Sequence, residues 1–221
     1  MNNLLALLSP LFPWLIRRWI LEKFLGYQIH PTARIGFAFV CPKKLIMEAH
    51  SSIDHLTVCR NLDLLHLGAH ALIGKGNWIY GFPVNDSTHF THQTDRKSQL
   101  VLGEHAAITS RHIVDCINSV TIGKFSIVGG YQSQILTHFI DFEKSIQTSA
   151  PVTIGDYCFI GTASVILGGS ILPGHCIVGA KSLLNDSRTE CFTLYAGVPA
   201  KAIKKLPADW KFFSRKNGFV D

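Results

Sequence analysis

The side chain best suited to acid–base chemistry in this chain is His138. Imidazole is the side chain whose ordinary pKa allows it to take and return a proton near neutral pH. His138 lies at the start of a polar stretch, just after a regular hydrophobic segment. The regular segment can hold the residue rigidly on one side, while its other side is open to solvent. A general base needs such a position, because it must lie within hydrogen-bonding distance of the proton that it takes. The sequence therefore predicts a general base at residue 138.

A catalytic imidazole is usually oriented by a carboxylate, and two residues could supply it. Asp141 lies three residues after His138, whereas Asp115 lies upstream, where it could face the same cleft. Either could also be an ordinary surface carboxylate, so the sequence does not decide between them. We assign Asp141 to the catalytic group and expect Asp115, His112 and Asn85 to contact the substrate.

The element that positions these residues is a six-residue repeat. From residue 154 onward an aliphatic side chain returns at every sixth position: Ile154, Ile160, Ile166, Leu172, Val178 and Leu184. A period of six fits neither a helix nor a simple alternating strand, but it fits a chain that turns a corner after each short strand. Three such strands close one coil, and residues 18 apart stack on neighbouring coils. The repeat predicts a parallel β-helix.

Two other places in the repeat support this prediction. Gly155, Gly161 and Gly179 follow the aliphatic residue, where a corner can demand a backbone conformation that only glycine adopts without steric cost. The fifth place holds small residues, as expected for side chains that point into a narrow prism: Cys158, Ser164, Ser170, Cys176 and Ser182. The same frame extends back to Ile29, with Cys41 and Cys59 at the aliphatic place and expected to stack.

Two polar stretches, residues 85–100 and 134–151, break the repeat and must leave the prism as loops. Insertions of this kind usually carry the binding function of a solenoid. The chain therefore divides into an N-terminal helical segment (1–28), a β-helix (29–193) and a C-terminal strap with a short capping helix (194–221).

The N-terminal residues 4–25 are rich in Leu and Trp but are interrupted by Pro10 and Pro13. The run is too broken and too short for a spanning helix. Two interpretations remain open: a helix packed across the open first coil, or an interfacial helix on an anionic membrane, with Trp14 and Trp19 at the boundary and the arginines near the head groups.

Composition narrows the partners and the compartment. The chain has 221 residues, a formal net charge of +6 and six cysteines without a CxxC pair. We expect buried thiols in a reducing, cytoplasmic environment and neither disulfides nor a metal site. The basic charge suits a polyanionic small molecule or a membrane surface, and no nucleic-acid motif appears.

Three stretches resemble a known family. VTIGKFSIVGGYQSQILTH (120–138), PVTIGDYCFIGTASVILGGSILPGHCIVGAKSLL (151–184) and YAGVPAKAIKKL (195–206) are similar to the hexapeptide-repeat acyltransferases, and most of all to sugar and polysaccharide O-acetyltransferases of the maltose/galactoside and colanic-acid/O-antigen types. The resemblance implies an all-β, left-handed parallel β-helix, acetyl-CoA as acyl donor, a sugar or polysaccharide-precursor acceptor and a homotrimer.

The resemblance also implies roles for single residues. His138 matches the family's base, and the backbone N–H of Thr162 matches its oxyanion donor. The residues that match its coenzyme A contacts are Gly161, Thr162, Ala180, Lys181, Lys201 and Lys204. Relatives often carry Thr-Lys where this chain has Asn185 and Asp186, which would weaken one anion contact.

Two other functions fit the same prism. A zinc enzyme of the γ-carbonic-anhydrase type would recruit histidines such as His105 with His112, or His89 with His92. A noncatalytic trimeric scaffold would need no base, and the presence of His138 argues against it.

Overall fold

The computed structural model describes residues 2–84, 89–218 and 220, with side chains described from residue 4 onward. The strands, numbered β1–β25 along the chain, form a three-sided prism of parallel sheets. The first sheet contains β1 (Gln28–Ile29), β4 (Lys44–Met47), β7 (Leu64–Leu67), β10 (Gln99–Leu102), β13 (Val120–Ile122), β18 (Val152–Ile154) and β21 (Ile171–Leu172). The second contains β2 (Arg34–Ile35), β5 (Ser52–Ile53), β8 (Leu72–Ile73), β11 (Ala107–Ile108), β14 (Ile127–Val128), β19 (Phe159–Ile160), β22 (Ile177–Val178), β24 (Thr193–Gly197) and β25 (Ala200–Lys205). The third contains β3 (Phe39–Cys41), β6 (Val58–Arg60), β9 (Trp78–Gly81), β12 (Ile113–Cys116), β15 (Gln134–Leu136), β20 (Val165–Leu167) and β23 (Leu183–Leu184).

The strand register confirms the six-residue repeat. Ile154 lies beside Leu172 in the first sheet, and Ile166 lies beside Leu184 in the third, so residues 18 apart stack. These side chains are at most 1% exposed and form one continuous core along the axis. Each sheet ends at a corner, and the corners of successive coils form three edges. We call them the first edge (first to second sheet), the second edge (second to third) and the third edge (third to first).

Two details of the repeat differ from expectation. Cys41 does not stack on Cys59: it lies beside Arg60, and Val40 occupies the inward place beside Cys59. In the first coil the inward-pointing residue is therefore one position earlier than the six-residue repeat predicts. The glycines also have another role than predicted, because Gly155 and Gly161 lack left-handed backbone angles. A Cβ on either would lie 2.5 Å from a backbone nitrogen of the next coil, so close packing of coils requires glycine there.

Two helices, rather than one, precede the prism: α1 (Asn2–Leu8) and α2 (Trp14–Leu25), joined by a 3-10 turn at Ser9–Leu11. They cover the open first coil, whose backbone carbonyls have no preceding strand to bind. The guanidinium of Arg17, only 3% exposed, donates to the carbonyl oxygens of three first-coil residues at 2.5–3.1 Å. These residues are Ile35, Gly36 and Ala38. Arg17 is therefore a structural cap, which contradicts its expected place near lipid head groups.

The last coil is closed by a strand and not by a helix. β24 continues the second sheet in parallel, and β25 pairs with it in antiparallel fashion. The expected C-terminal helix is one 3-10 turn, Lys211–Phe213. Phe213 packs against the rings of His175 and Phe192, so the tail runs back along the first edge instead of capping the end.

The second break in the repeat is shorter and more regular than predicted. Residues 134–136 form a prism strand with Ile135 in the core, so the chain leaves the prism only at Thr137. The inserted segment is an antiparallel hairpin of β16 (His138–Asp141) and β17 (Ile146–Ser149). The described part of the first break, residues 89–98, and the segment from Thr137 to Pro151 both lie on the third edge.

Candidate active site

The third edge brings together a histidine and a buried carboxylate. Nδ1 of His138 forms a very short hydrogen bond with Oδ2 of Asp115. The side chain of His138 is 36% exposed and that of Asp115 is fully buried. Nε2 of His138 has no hydrogen-bond partner among the described residues. The ring is thus anchored through one nitrogen and presents the other to the cleft.

Asp115 is itself held by the backbone around it. Its Oδ1 accepts from the N–H of Ile117 at 2.8 Å and from the Thr137 hydroxyl at 3.3 Å. Its Oδ2 accepts from the N–H groups of Thr137 and His138, both at 3.2 Å. A carboxylate with four such donors can remain buried, because its oxygens are satisfied. Asp115 therefore orients the imidazole and has no surface left for the substrate contact that we predicted.

The pair changes the acid–base behaviour of the histidine. The hydrogen bond that His138 donates to Asp115 raises the pKa of His138 above its ordinary value, and the charge of Asp115 adds to this, while burial of the ring opposes both. A stronger base results, because the anchored imidazolium is stabilised.

Asp141, the partner predicted from spacing, lies elsewhere. Its Oδ1 accepts from the backbone N–H of Lys144 at 3.1 Å, and its Oδ2 lies 3.5 Å from Nζ of Lys144. These contacts lower the pKa of Asp141. Asp141 therefore shapes the turn of the hairpin, and its carboxylate does not contact His138.

The base of the hairpin is fixed by close packing and by a polar network. A Cβ on Gly168 would lie 2.7 Å from the carbonyl oxygen of Thr137, so the coil above must have glycine there. Ser149 lies opposite His138 in the hairpin, and its hydroxyl donates to Oε1 of Gln93 at 2.7 Å. In return, Nε2 of Gln93 donates to the backbone carbonyl oxygen of Ser149 at 2.7 Å. Asn118 donates to the Ser149 hydroxyl at 3.1 Å. The first break is thereby tied to the hairpin beside His138.

Between the two insertions lies a polar pocket of about 310 Å³. It is lined by His89, Phe90, Thr91, His92, Ser145, Ile146 and Gln147. Residues opposite each other in an antiparallel pair share a face, so Gln147, opposite Ile140, lies on the same hairpin face as His138 and Ser149. Ile146 lies on the other face, so the pocket lies at the turn end of the hairpin, and His138 is not among the residues that line it. Asn85, which we expected to contact the substrate, lies outside the described residues.

The residues matched to coenzyme A lie together, but on the second edge. A Cβ on Gly161 would lie 2.5 Å from the N of Ala180, and the N–H of Lys181 donates to the carbonyl of Thr162 at 2.9 Å. The N–H of Thr162 donates to no acceptor in the described part of the chain. One chain therefore does not bring Thr162 to His138, because the two lie on different edges of the prism.

Lys201 and Lys204 lie on β25 and are exposed. Lys201 pairs with Ala196 and Lys204 pairs with Leu194, the two neighbours of the buried Tyr195 in β24. A register shift between Leu194 and Tyr195 allows both lysines to lie on the outer face. Lys201 lies towards the second edge, because Ala196 packs on Gly179. Lys204 lies opposite Leu194, which is level with Ile177, so it lies farther from the Gly161–Ala180 edge than Lys201 does.

His112 is a packing residue of the second edge and does not reach the third. Ser133 N–H donates to its Nδ1 at 3.1 Å, and its Nε2 lies 3.0 Å from Oγ1 of Thr109. Burial lowers the pKa of His112 to about 4. This neutral, fully bonded ring cannot contact a substrate at His138, contrary to our prediction.

The sequence did not indicate Gln93, Asn118 or Ser149, which position the hairpin. Gln93 and Ser149 lie in the two stretches that break the repeat and Asn118 lies at a corner between β12 and β13, where only tertiary contacts distinguish them from ordinary loop residues. Within residues 2–84 and 89–218, no three His, Cys, Asp or Glu side chains converge as metal ligands would. His105 and His112, considered as zinc ligands, lie on different edges of the prism.

Comparison with known proteins places this geometry in context. A scan against models of protein families finds no match. The curated protein "Putative lipopolysaccharide biosynthesis O-acetyl transferase WbbJ" of Escherichia coli strain K12 is 30% identical over 112 residues, which cover 45% of this chain and 57% of that protein. The matched part thus spans little more than half of that relative.

Two solved structures share the fold over most of the chain. One is a point mutant of AntD, an N-acyltransferase from Bacillus cereus bound to dTDP-4-amino-4,6-dideoxyglucose and coenzyme A, with a TM-score of 0.54 and 18% identity over 86% of this chain and 89% of that one. The other is the polysialic acid O-acetyltransferase OatWY, with a TM-score of 0.54 and 16% identity over 81% of this chain and 84% of that one. The resemblance to hexapeptide-repeat acyltransferases is confirmed in the fold: this chain is a parallel β-helix of the same kind.

Proposed function

We propose that this protein is an O-acetyltransferase that moves the acetyl group of acetyl-CoA to a hydroxyl of a sugar or a cell-surface polysaccharide precursor, with His138 as general base. The observation that carries the proposal is the pairing of His138 with the buried Asp115. A carboxylate that holds Nδ1 sets the tautomer, so Nε2 faces the cleft without a proton and can accept one.

The reaction follows from this arrangement. Nε2 of His138 takes the proton of the acceptor hydroxyl as its oxygen attacks the thioester carbonyl. The tetrahedral intermediate then collapses, the C–S bond breaks, and the imidazolium returns the proton to the leaving thiolate of coenzyme A. General-base assistance of this kind contributes ~10²–10⁴ in rate. No covalent acyl-enzyme is required.

We propose that a second copy of the chain supplies the residues that bind the acyl donor. The N–H of Thr162, which lacks an acceptor among the described residues, suits a developing oxyanion. It lies on the second edge with Gly161, Ala180 and Lys181, and Lys201 with Lys204 supplies cations for phosphate groups. Since His138 lies on the third edge, we propose a homotrimer in which the second edge of one prism faces the third edge of its neighbour.

The acceptor side lies between the two insertions. A pocket of about 310 Å³ has room for one sugar ring, and its His, Thr and Gln side chains can bind hydroxyl groups. The proteins named above are described as an O-acetyltransferase of lipopolysaccharide biosynthesis, a polysialic acid O-acetyltransferase and an N-acyltransferase in complex with a nucleotide-linked amino sugar, which supports a saccharide acceptor here. All six cysteines are free, which supports a reducing, cytoplasmic location.

The test is transfer of radiolabelled acetyl from acetyl-CoA to a panel of free hexoses, nucleotide sugars and surface oligosaccharides. We expect the wild-type protein to label one class, and His138→Ala to lower kcat at least about a hundredfold while coenzyme A binding persists. His30→Ala is the matched control, because His30 is exposed and, among the described residues, its ring bonds only with the nearby Thr32.

Unchanged activity in His138→Ala would refute the base assignment. A protein that neither binds acetyl-CoA nor labels any acceptor would favour the scaffold function, and stoichiometric zinc in that protein would favour a carbonic-anhydrase type of activity.

A further inference from the structure

We propose that the helices α1 and α2 dock the protein onto an anionic lipid bilayer, lying in the plane of the head groups. The docking surface, here called the helical face, is the outer surface of both helices and is marked by Leu4, Leu7, Leu11, Leu15, Trp19 and Phe24. This inference does not depend on the proposed acetyl transfer.

The two helices bury one side against the prism and leave an apolar outer side. Leu21 is 1% exposed within the core and Arg17 is 3% exposed against the first-coil carbonyls. Leu11 and Leu15, by contrast, are 70% and 76% exposed on the outer side. This apolar surface is larger than a cap for the first coil requires. Contiguous exposed apolar surface of this kind marks an interaction site.

The apolar surface continues onto the prism. A groove of about 260 Å³ runs between α1 and the second edge, lined on one side by Leu7 and Pro10. Its other side includes Phe37 and Leu56, which are 55% and 61% exposed. The groove widens the helical face beyond the two helices and could receive an acyl chain from the bilayer.

The dimensions favour a helix pair that lies on the membrane. α2 has 12 residues and is therefore ~18 Å long, against ~30 Å for a hydrocarbon core. Among the described residues no helix is both long and apolar enough to cross a bilayer. Pro10 and Pro13 separate the two helices, so they cannot join into one longer span.

Charge complementarity selects the bilayer over a second copy of this chain. Arg17 is turned inward, and Arg18 is paired with Glu22 at 3.0 Å. Lys23 on α2 and Arg34 beside Trp14 are exposed and give this end a positive charge. Two copies joined through this face would bring two positively charged ends together, which is unfavourable. Anionic head groups would be attracted by the same charges, each basic side chain near the surface adding to the affinity.

Co-sedimentation with vesicles tests the proposal, using phosphatidylcholine alone and phosphatidylcholine mixed with phosphatidylglycerol in equal parts. We expect binding to the mixed vesicles to be at least about tenfold tighter, and the fluorescence of the exposed Trp19 to shift to the blue on binding. The double variant Leu11→Asp with Leu15→Asp should lose this binding. Ile171→Asp is the matched control, because Ile171 is a 48% exposed apolar residue on the first sheet at the opposite end of the prism.

The proposal is overturned if the wild-type protein binds neither kind of vesicle, or if the double variant binds as tightly as the wild type. It is also overturned if the double variant changes the oligomeric state in sedimentation velocity while vesicles are not bound, because the helical face would then join two copies. Acetyl transfer to a water-soluble acceptor, measured without vesicles, should be equal in the double variant and the wild type. Failure of the docking surface can thus be distinguished from failure of the proposed function.

Discussion

Replacement of Asp115 by Asn tests the central pair most directly, because it changes one atom in a buried site. Oδ2 of Asp115 accepts from the His138 ring and from the backbone N–H groups of Thr137 and His138. Oδ1 accepts from the N–H of Ile117 and from the Thr137 hydroxyl. Whichever oxygen becomes NH2, at least one buried N–H loses its acceptor, at a cost of ~1–3 kcal/mol in the free energy of unfolding.

The effect on catalysis should be larger than the effect on stability. If the new NH2 faces the ring, it donates to Nδ1 and the ring proton moves to Nε2, the nitrogen that must accept the substrate proton. If it faces the other way, the ring loses the negative charge that stabilises imidazolium. We expect Asp115→Asn to lower kcat by ~10²-fold or more, close to the loss in His138→Ala, with little change in the KM for acetyl-CoA.

The pH dependence provides an independent readout. In the wild type the base must be neutral, so activity falls as the pH drops through the pKa of His138, which Asp115 raises above 6.5. Without the carboxylate only burial remains, and burial lowers the pKa of the ring. The acidic limb of the pH–rate profile should therefore move to lower pH in Asp115→Asn.

Asp141→Asn is the matched control, because Asp141 contacts Lys144 and not the imidazole. Its kcat and pH profile should equal those of the wild type. Equal losses in the two variants, or wild-type kcat in Asp115→Asn measured by acetyl transfer, would refute the assignment of Asp115 as the orienting residue.

Three further predictions concern other parts of the structure. Arg17→Met removes the donor to three first-coil carbonyls and should lower the free energy of unfolding in urea by ~3 kcal/mol, whereas Arg18→Met, at a partly exposed i,i+4 ion pair, should cost ~0.5 kcal/mol or less. The pKa of His112 is about 4 in the folded protein, below its ordinary value of 6.5. The buried neutral ring therefore contributes to the free energy of unfolding above pH 6.5, and this contribution is lost as the pH falls towards 4, because the unfolded chain binds a proton first. Unfolding free energy should drop by ~3 kcal/mol over that range in the wild type, and this part of the slope should be missing in His112→Gln. Lys201→Ala combined with Lys204→Ala should raise the KM for acetyl-CoA more than that for the acceptor, and unchanged KM values would contradict phosphate binding.

The site could be predicted only in part from the sequence. His138 was recognisable because it follows the last prism strand before an insertion, a position that rigid coils hold on one side. Asp115 was not distinguishable from Asp141, since proximity along the chain favoured the wrong carboxylate. Asp115 is 23 residues away, and it reaches the ring because β12 lies beside β15. It is buried in spite of its outward place in the strand, because the hairpin covers it.

The N-terminal segment shows the same limit. Its composition left open a cap for the first coil or a membrane helix, and the structure shows a cap made by Arg17 with an apolar outer surface. No pattern in residues 4–25 predicted that the arginine would face inward, because the carbonyls that attract it belong to the first coil, some 20 residues later.

The sequence by itself determined the prism, its core and the positions of its two insertions, because stacked coils repeat one local geometry and each repeat must supply its own inward residue. Cys41 shows the limit of this repeat pattern. The strand containing Cys41 is shifted by one residue relative to the repeat, and only the strand register in the structure shows the shift. The tertiary structure alone decided which residues meet at the third edge and that the residues matched to coenzyme A lie on another edge. Such contacts join residues a coil or more apart, and their chemistry depends on burial and on distances that no periodic pattern records.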